Sequence, residues 1–171
     1  MHIRIKLRKK IITRIIIVHV LSVYAIISVM KHTFEQRIFY ADTDSYGVVW
    51  HGSYLRLMEM GRVYWTEAAG FNLKDLKENH DIVIPVAGVN IRYKNSAKVD
   101  DIVVVETELA SFNGIAAVFK QIIRNKETQK VYTEAEVTIV AVSDSGKLYR
   151  RMPEILADVF KKELEQCPAL V

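Results

Sequence analysis

The sequence YADTDSYGVVWHGSYL, residues 40–55, decides the fold of this chain. A run rich in β-forming residues, 34–40, leads to two aspartates, and a turn is predicted around Gly47. An apolar triplet then carries the chain to His51, where a helical pattern begins. This order places the carboxylate of Asp44 a few residues from a helix N-terminus. Such a pairing suits chemistry on a carbonyl group, because the N–H groups at a helix start attract developing negative charge.

Two helices are predicted, one of them directly after this stretch. The first spans Ser53 to Ala69, with Gly70 as its stop. Apolar residues cover most of its circumference, which is typical of a helix enclosed by other elements. The polar residues 72–81 indicate a short helix or a loop. The second helix is predicted from Pro153 to Gln166, since proline is tolerated in a first helical turn.

The remaining segments alternate as β-strands do. Strands are predicted over residues 34–40, 86–93, 101–111, 115–124 and 131–142. Asn113-Gly114 lies between two of them and is a strong hairpin signal. In the third strand, the alternation places Glu106 and Glu108 opposite the apolar face. Consecutive strands with short turns favour antiparallel pairing, so we expect an α+β fold with a curled antiparallel sheet of about five strands around one central helix.

Composition limits the class of protein. The chain has 171 residues, of which 50% are hydrophobic and 26% charged, enough for one globular domain with a core. Residues 1–29 hold six of the 24 basic residues and no acidic one, which leaves residues 30–171 with a net charge of −2. That balance argues against a nucleic-acid-binding surface. A single cysteine, Cys167, excludes an internal disulfide.

Residues 1–29 are predicted to be an extension of a domain that spans 30–171. Their second half is apolar, but the part free of Lys, Arg, Asp and Glu, 15–30, has 16 residues, fewer than the ~20 that usually cross a bilayer. A signal anchor, a cleaved signal peptide and a translation start at Met30 all stay open. We favour a dispensable or peripheral extension. The expected location is therefore cytoplasmic, with membrane contact only through this segment.

Taken in order, the motifs resemble the hotdog-fold 4-hydroxybenzoyl-CoA thioesterase family, and specifically its Tol-Pal-associated acyl-CoA thioesterase branch. The resemblance rests on the run 42–51 and on Tyr54, Leu55, Glu59, Arg62, Tyr93, Ala97 and Asp101. It covers residues 34–160.

The resemblance implies an acyl-CoA thioesterase that hydrolyses its substrate to a free acid and CoA. Asp44 would be the catalytic carboxylate, as nucleophile or general base, and the backbone N–H of His51 would polarise the thioester carbonyl. The substrate-binding residues would be Gly47, Val49, Trp50, Tyr54 and Glu59. No cofactor and no metal are expected, and a homodimer or homotetramer is implied.

Several of these residues also have structural interpretations. Asp44 could form an Asx-turn, a role we assign to Asp42 in any case. Glu59 could form an ion pair with Arg62, three positions on, and this explanation is favoured over catalysis. Aromatic and methionine residues on an enclosed helix, such as Tyr54, are more often core than ligand contacts.

Other functions stay open or are disfavoured. A hotdog hydratase or dehydratase acting on acyl thioesters and a non-enzymatic acyl-thioester-binding protein are the alternatives. No Gly-x-Ser-x-Gly motif, glycine-rich phosphate loop or metal-ligand histidine spacing is present. In some relatives, basic residues in the hairpin that corresponds to residues 111–114 contact the CoA phosphates. This chain has Ser-Phe-Asn-Gly there. The candidates for that contact are Arg92, Lys94, Lys98, Arg150 and Arg151.

Overall fold

The computed structural model describes residues 31–165. The predictions for residues 1–29 and for Cys167, and the predicted helix end at Gln166, lie outside the described residues. The strands are β1 (His32–Arg37), β2 (Val86–Tyr93), β3 (Ile102–Phe112), β4 (Ala116–Asn125) and β5 (Val131–Val140). The helices are α1 (His51–Ala68), α2 (Leu73–His80) and α3 (Glu154–Glu165). No helix within residues 31–165 is long and apolar enough to cross a membrane.

The five strands form one sheet in the order β1-β3-β4-β5-β2. All neighbouring strands pair antiparallel. Helix α1 packs against β1, β3 and β4, so the sheet curls around it. The predicted α+β architecture, with about five antiparallel strands and one central helix, is confirmed.

Helix α1 buries one face against the sheet. Its buried residues recur at helical spacing and include Tyr54, Leu57, Met58, Gly61 and Trp65. A fully buried leucine or methionine contributes roughly 1.5–3 kcal/mol of transfer free energy. Gly61 permits the close approach to β3, since an added Cβ would lie 2.4 Å from the Thr107 Oγ1.

Some predicted boundaries were wrong at the start of the domain. Strand β1 ends at Arg37 instead of residue 40, because residues 40–42 form a 3₁₀ turn. The carboxylate of Asp42 closes that turn by accepting the Phe39 N–H at 3.0 Å. Helix α1 begins at His51, where the helical pattern was predicted to begin, and therefore extends the predicted span from Ser53 by two residues.

Strand β3 buries a charged side chain, that of Glu106. Glu106, predicted to share with Glu108 the face opposite the apolar residues, is only 2% exposed. Its carboxylate forms ion pairs with Lys31 and Arg124. The alternation of β3 was therefore correct, but the charge is covered by neighbouring cations, as a buried carboxylate requires.

Candidate active site

The loop between the aspartates and α1 is a closed turn. Thr43 and Val49 form an antiparallel bridge, and the Asp44 N–H donates to the Val48 carbonyl at 2.9 Å. The Gly47 N–H donates to the Asp44 carbonyl at 3.0 Å. Gly47 has φ +72°, a conformation that disfavours residues with a Cβ, so this glycine shapes the loop. The loop thereby holds Asp44 in a fixed position.

Asp44 has one carboxylate oxygen engaged in this turn. Its Oδ1 accepts the Tyr46 N–H at 2.9 Å, which is the Asx-turn proposed as its structural role. Its Oδ2 accepts no hydrogen bond from residues 31–165. The turn and the predicted catalytic role are therefore compatible, because they can use different oxygens.

Asp42 has a different environment, in agreement with its predicted turn-forming role. Its side chain is 9% exposed, and its carboxylate pairs with the guanidinium of Arg56 and accepts the Phe39 N–H. Its backbone carbonyl accepts both the Trp50 N–H and the Ser53 hydroxyl at 2.9 Å. These two bonds fasten the aspartate segment to the first turn of α1.

The N-terminus of α1 carries no competing negative charge. Trp50, the N-cap, is extended (φ −61°, ψ 137°) and makes no side-chain capping bond, and the first turn contains no acidic residue. The Trp50 ring lies directly over Gly52, where an added Cβ would be 2.1 Å from it. The partial positive charge of this helix end is thus left for a ligand.

Aromatic residues surround the helix start. The rings of Trp50 and Tyr93 lie 4.9 and 6.5 Å from the His51 ring. The Tyr93 hydroxyl donates to the His51 carbonyl at 3.2 Å, and partial burial raises the pKa of that phenol. Ala97 joins the same region, because its carbonyl accepts the Val49 N–H at 2.9 Å. The structure therefore brings the distant Tyr93–Ala97 segment to the candidate site.

The sequence and fold of this site have known relatives. A sequence model of the thioesterase-like superfamily matches residues 40–162. The chain belongs to this superfamily. The acyl-CoA thioesterase YbgC of Haemophilus influenzae is 33% identical over 116 residues, covering 68% of this chain and 83% of that protein.

Solved structures agree with the superfamily. A DHNA-CoA thioesterase from Staphylococcus aureus superposes with a TM-score of 0.72 and 27% identity, covering 79% of this chain and 91% of that one. The 4-hydroxybenzoyl-CoA thioesterase of Pseudomonas sp. strain CBS-3 shares the fold, with a TM-score of 0.67, 20% identity, and coverage of 80% and 99%. The predicted hotdog family and the prediction of a thioester hydrolase are confirmed, and the similarity to YbgC agrees with the predicted branch.

The predicted substrate-binding residues of this thioesterase-family chain have unequal access to a ligand. The side chains of Val49 and Tyr54 are 4% and 2% exposed and belong to the core, as the packing alternative for Tyr54 expected. The Tyr54 hydroxyl accepts the Ala97 N–H at 2.9 Å, and burial raises its pKa. The Trp50 side chain is half-exposed. Gly47 acts through the loop backbone described above.

Glu59 lies apart from the helix N-terminus, in a cleft of about 490 Å³ along α1. From α1 the cleft is lined by Leu55, Arg56, Glu59, Arg62, Val63 and Thr66. The predicted ion pair was wrong: among residues 31–165 no carboxylate oxygen lies within 4 Å of the Arg62 guanidinium, which instead donates to the Gln121 Oε1 at 2.7 Å. Glu59 is consequently an exposed carboxylate on the cleft wall.

The contributions of Ser53 and Gln121 were not predicted from the sequence. Ser53 looked like an ordinary helix-start residue, although its position in the first turn was a signal for a capping or tethering hydroxyl. Gln121 gave no signal, because a glutamine within a strand pattern is not distinguishable from a solvent-facing one. Residues 31–165 contain no cluster of three or more His, Cys, Asp or Glu side chains able to hold a metal ion.

Proposed function

We propose that this protein is an acyl-CoA thioesterase, with Asp44 as its catalytic carboxylate and the helix start at His51 as the group that polarises the thioester carbonyl. One observation carries the proposal. The Asp42 carbonyl fastens the segment bearing Asp44 to the uncapped N-terminus of α1 through Trp50 and Ser53.

The chemistry requires little else, because a thioester is already an activated acyl group. The carbonyl oxygen accepts the N–H of His51, and loss of one such donor typically lowers the rate about 10²–10³-fold. In one route, Asp44 takes a proton from a water molecule that attacks the carbonyl carbon, and the C–S bond breaks as the thiolate receives that proton. In the other, Asp44 attacks directly, CoA leaves, and water cleaves the resulting anhydride. Both routes release a free acid and CoA.

The choice of substrate rests on the relatives. The Haemophilus influenzae protein is named as an acyl-CoA thioesterase, and the structural neighbours are named for CoA thioesters. Lys98 is the favoured phosphate contact of the five basic candidates. Its backbone forms an antiparallel bridge with Val48 in the site loop, and its side chain forms no ion pair within residues 31–165. We expect Lys98→Ala to raise the KM for acyl-CoA more than Lys94→Ala does.

The proposed enzyme works as a homo-oligomer with sites near the subunit interface. Strand β2 is an edge of the sheet, with a neighbour only on its β5 side in the described chain. It nevertheless exposes Val86, Val89 and Tyr93, each more than 40%. An exposed apolar edge strand favours pairing with another strand, and a second copy of β2 would extend the sheet across a twofold axis. The cytoplasmic location stays a prediction.

The decisive experiment measures thiol release from a panel of acyl-CoAs by the wild type and by Asp44→Asn. Asparagine keeps the Oδ1 that accepts the Tyr46 N–H, so the loop is retained while the carboxylate is lost. We expect hydrolysis to fall ~10²–10⁴-fold with unchanged thermal unfolding.

Asp42→Asn is the matched control. It breaks the pair with Arg56 and should lower stability by about 1–2 kcal/mol, with a smaller effect on kcat in the folded fraction. Full hydrolysis by a folded Asp44→Asn variant would exclude Asp44, and loss only in Glu59→Gln would move the chemistry to the cleft. Hydration of enoyl-CoA without thiol release would favour the hydratase alternative.

A further inference from the structure

On the helix side, the cleft runs along α1 from Leu55 to Thr66. Leu55, Glu59, Arg62 and Thr66 follow one another at spacings of four, three and four residues, so they form one stripe along the helix. Leu55 lies about one turn beyond His51. Arg62 lies roughly 16 Å from His51 along the helix axis. A group held at the helix start could therefore extend along the cleft to Arg62.

The facing wall of the cleft is apolar. It consists mainly of Val86, Val89, Val137 and Ile139, from β2 and β5. Clefts of this character bind the hydrocarbon part of a ligand, while a few fixed polar groups set its orientation. Arg62 is such a polar group.

The guanidinium of Arg62 is held by a fully buried amide. The Gln121 Oε1 accepts its Nη1 at 2.7 Å, while the Gln121 Nε2 donates to the Met58 carbonyl and the Thr107 hydroxyl, both at 2.8 Å. Because both hydrogens of the amide nitrogen are used, its oxygen must face Arg62. This network fixes the arginine while using one of its five N–H donors.

Arg62 is a half-buried cation that forms no ion pair within residues 31–165. No Asp or Glu oxygen among residues 31–165 lies within the 4 Å of an ion pair, and Gln121 is the single hydrogen-bond acceptor that the guanidinium contacts in that range. Burial lowers the pKa of Arg62, an effect that the more distant Glu59 carboxylate partly offsets. A partly desolvated charge with unused donors is stabilised by an additional acceptor.

We propose that Arg62 is a specificity-determining residue that binds an oxygen acceptor, a carboxylate or a hydroxyl, at the far end of the acyl group. The thioester of that acyl group lies at the N-terminus of α1, so the inference rests on the proposed function. Gln121 is the positioning residue that orients Arg62.

Binding of non-hydrolysable acyl-CoA analogues, in which a thioether replaces the thioester, tests this inference independently of catalysis. Three analogues with chains of one length, about 12 carbons to cover the roughly 16 Å to Arg62, end in a methyl, a hydroxyl or a carboxylate group. Calorimetric titration of the full-length wild type should give the polar-ended analogues roughly 10–100-fold tighter binding than the methyl-ended one. The hydroxyl and carboxylate arms distinguish a neutral acceptor from an anion.

Variants assign the preference to the arginine. Arg62→Met should bind the polar-ended and methyl-ended analogues about equally. Arg62→Lys should keep part of the preference for the carboxylate, because lysine retains the charge but not the planar guanidinium. Lys161→Met is the control: it removes an exposed cation on α3 that pairs with Asp158, and should leave the preference intact.

Equal binding of the three analogues by the wild type, or an unchanged preference in Arg62→Met, would overturn the inference. A folded Arg62→Met variant that no longer forms the oligomer but keeps the preference would also overturn it, because Arg62 would then stabilise the subunit interface. If the preference is present but the corresponding thioesters release no thiol, the proposed hydrolysis fails while the binding assignment stands.

Discussion

The hydroxyl of Ser53 donates a 2.9 Å hydrogen bond to the backbone carbonyl of Asp42. This bond joins the first turn of α1 to the loop that carries Asp44. The same carbonyl accepts the Trp50 N–H, so a single backbone atom receives two donors from the helix start. The distance between the proposed carboxylate and the proposed carbonyl-binding amide therefore depends on this contact.

Removing the Ser53 hydroxyl should loosen that coupling. Ser53→Ala is expected to lower kcat roughly 10-fold, because small misplacements of catalytic groups are costly, and to lower stability by about 1 kcal/mol. Steady-state kinetics and urea unfolding provide the two measurements. Ser111→Ala, the same change at an exposed site, is the control, and an equal effect of both variants on kcat would contradict the coupling.

The backbone N–H of His51 can be removed without breaking the helix. Proline is tolerated at the first helical position, and Trp50 already has the extended backbone that precedes proline. His51→Pro should therefore lower kcat about 10²–10³-fold, while His51→Ala, which keeps the N–H, should be affected much less. Circular dichroism verifies that both variants fold. If alanine is as damaging as proline, the imidazole and not the amide carries the function.

A charge on the free edge of β2 should prevent pairing with a second copy. Val89 is 44% exposed, and Val89→Lys would bring two like charges together across a twofold axis. We expect analytical ultracentrifugation to show a shift from oligomer to monomer. Glu108→Lys, on β3 away from this edge, should leave the sedimentation unchanged. A wild type that sediments as a monomer would contradict the oligomer outright.

Tyr132 should contribute a stability that disappears at alkaline pH. Burial, with the bond from its hydroxyl to the Asp101 Oδ2 at 2.7 Å, raises the pKa of Tyr132 to about 12. Because the unfolded value is ~10, this stabilisation is complete below pH ~10 and is lost as the pH rises towards 12. Urea unfolding between pH 8 and about 11 should show a smaller alkaline loss in Tyr132→Phe than in wild type. The exposed Tyr40→Phe should match wild type, and parallel profiles for all three proteins would refute the assignment.

The elements that follow from local patterns were predictable from sequence, and the contacts between distant segments were not. Alternation located the strands, and the apolar residues of 53–69 predicted a helix packed on the sheet. The expectation that this helix is enclosed was wrong for the described chain, because α1 buries one face and leaves Leu55 and Tyr64 exposed. By contrast, the position of Tyr93 beside His51, 42 residues earlier in the chain, arises from sheet pairing. The missing Glu59–Arg62 pair shows the same limit: spacing allowed an ion pair, but buried Gln121 offered Arg62 a better-placed acceptor.

The absence of a side chain at Gly61 fixes how closely α1 packs on β3. At Gly61 the helix lies so close to β3 that a methyl group there would clash with the Thr107 hydroxyl and move α1 outward. Such a displacement would widen the cleft beside Arg62. It would also tilt the N-terminus of α1 near Trp50. In the proposed enzyme, the acyl selectivity set by Arg62 and the alignment of Asp44 with the helix start would therefore both depend on the absence of a side chain at residue 61.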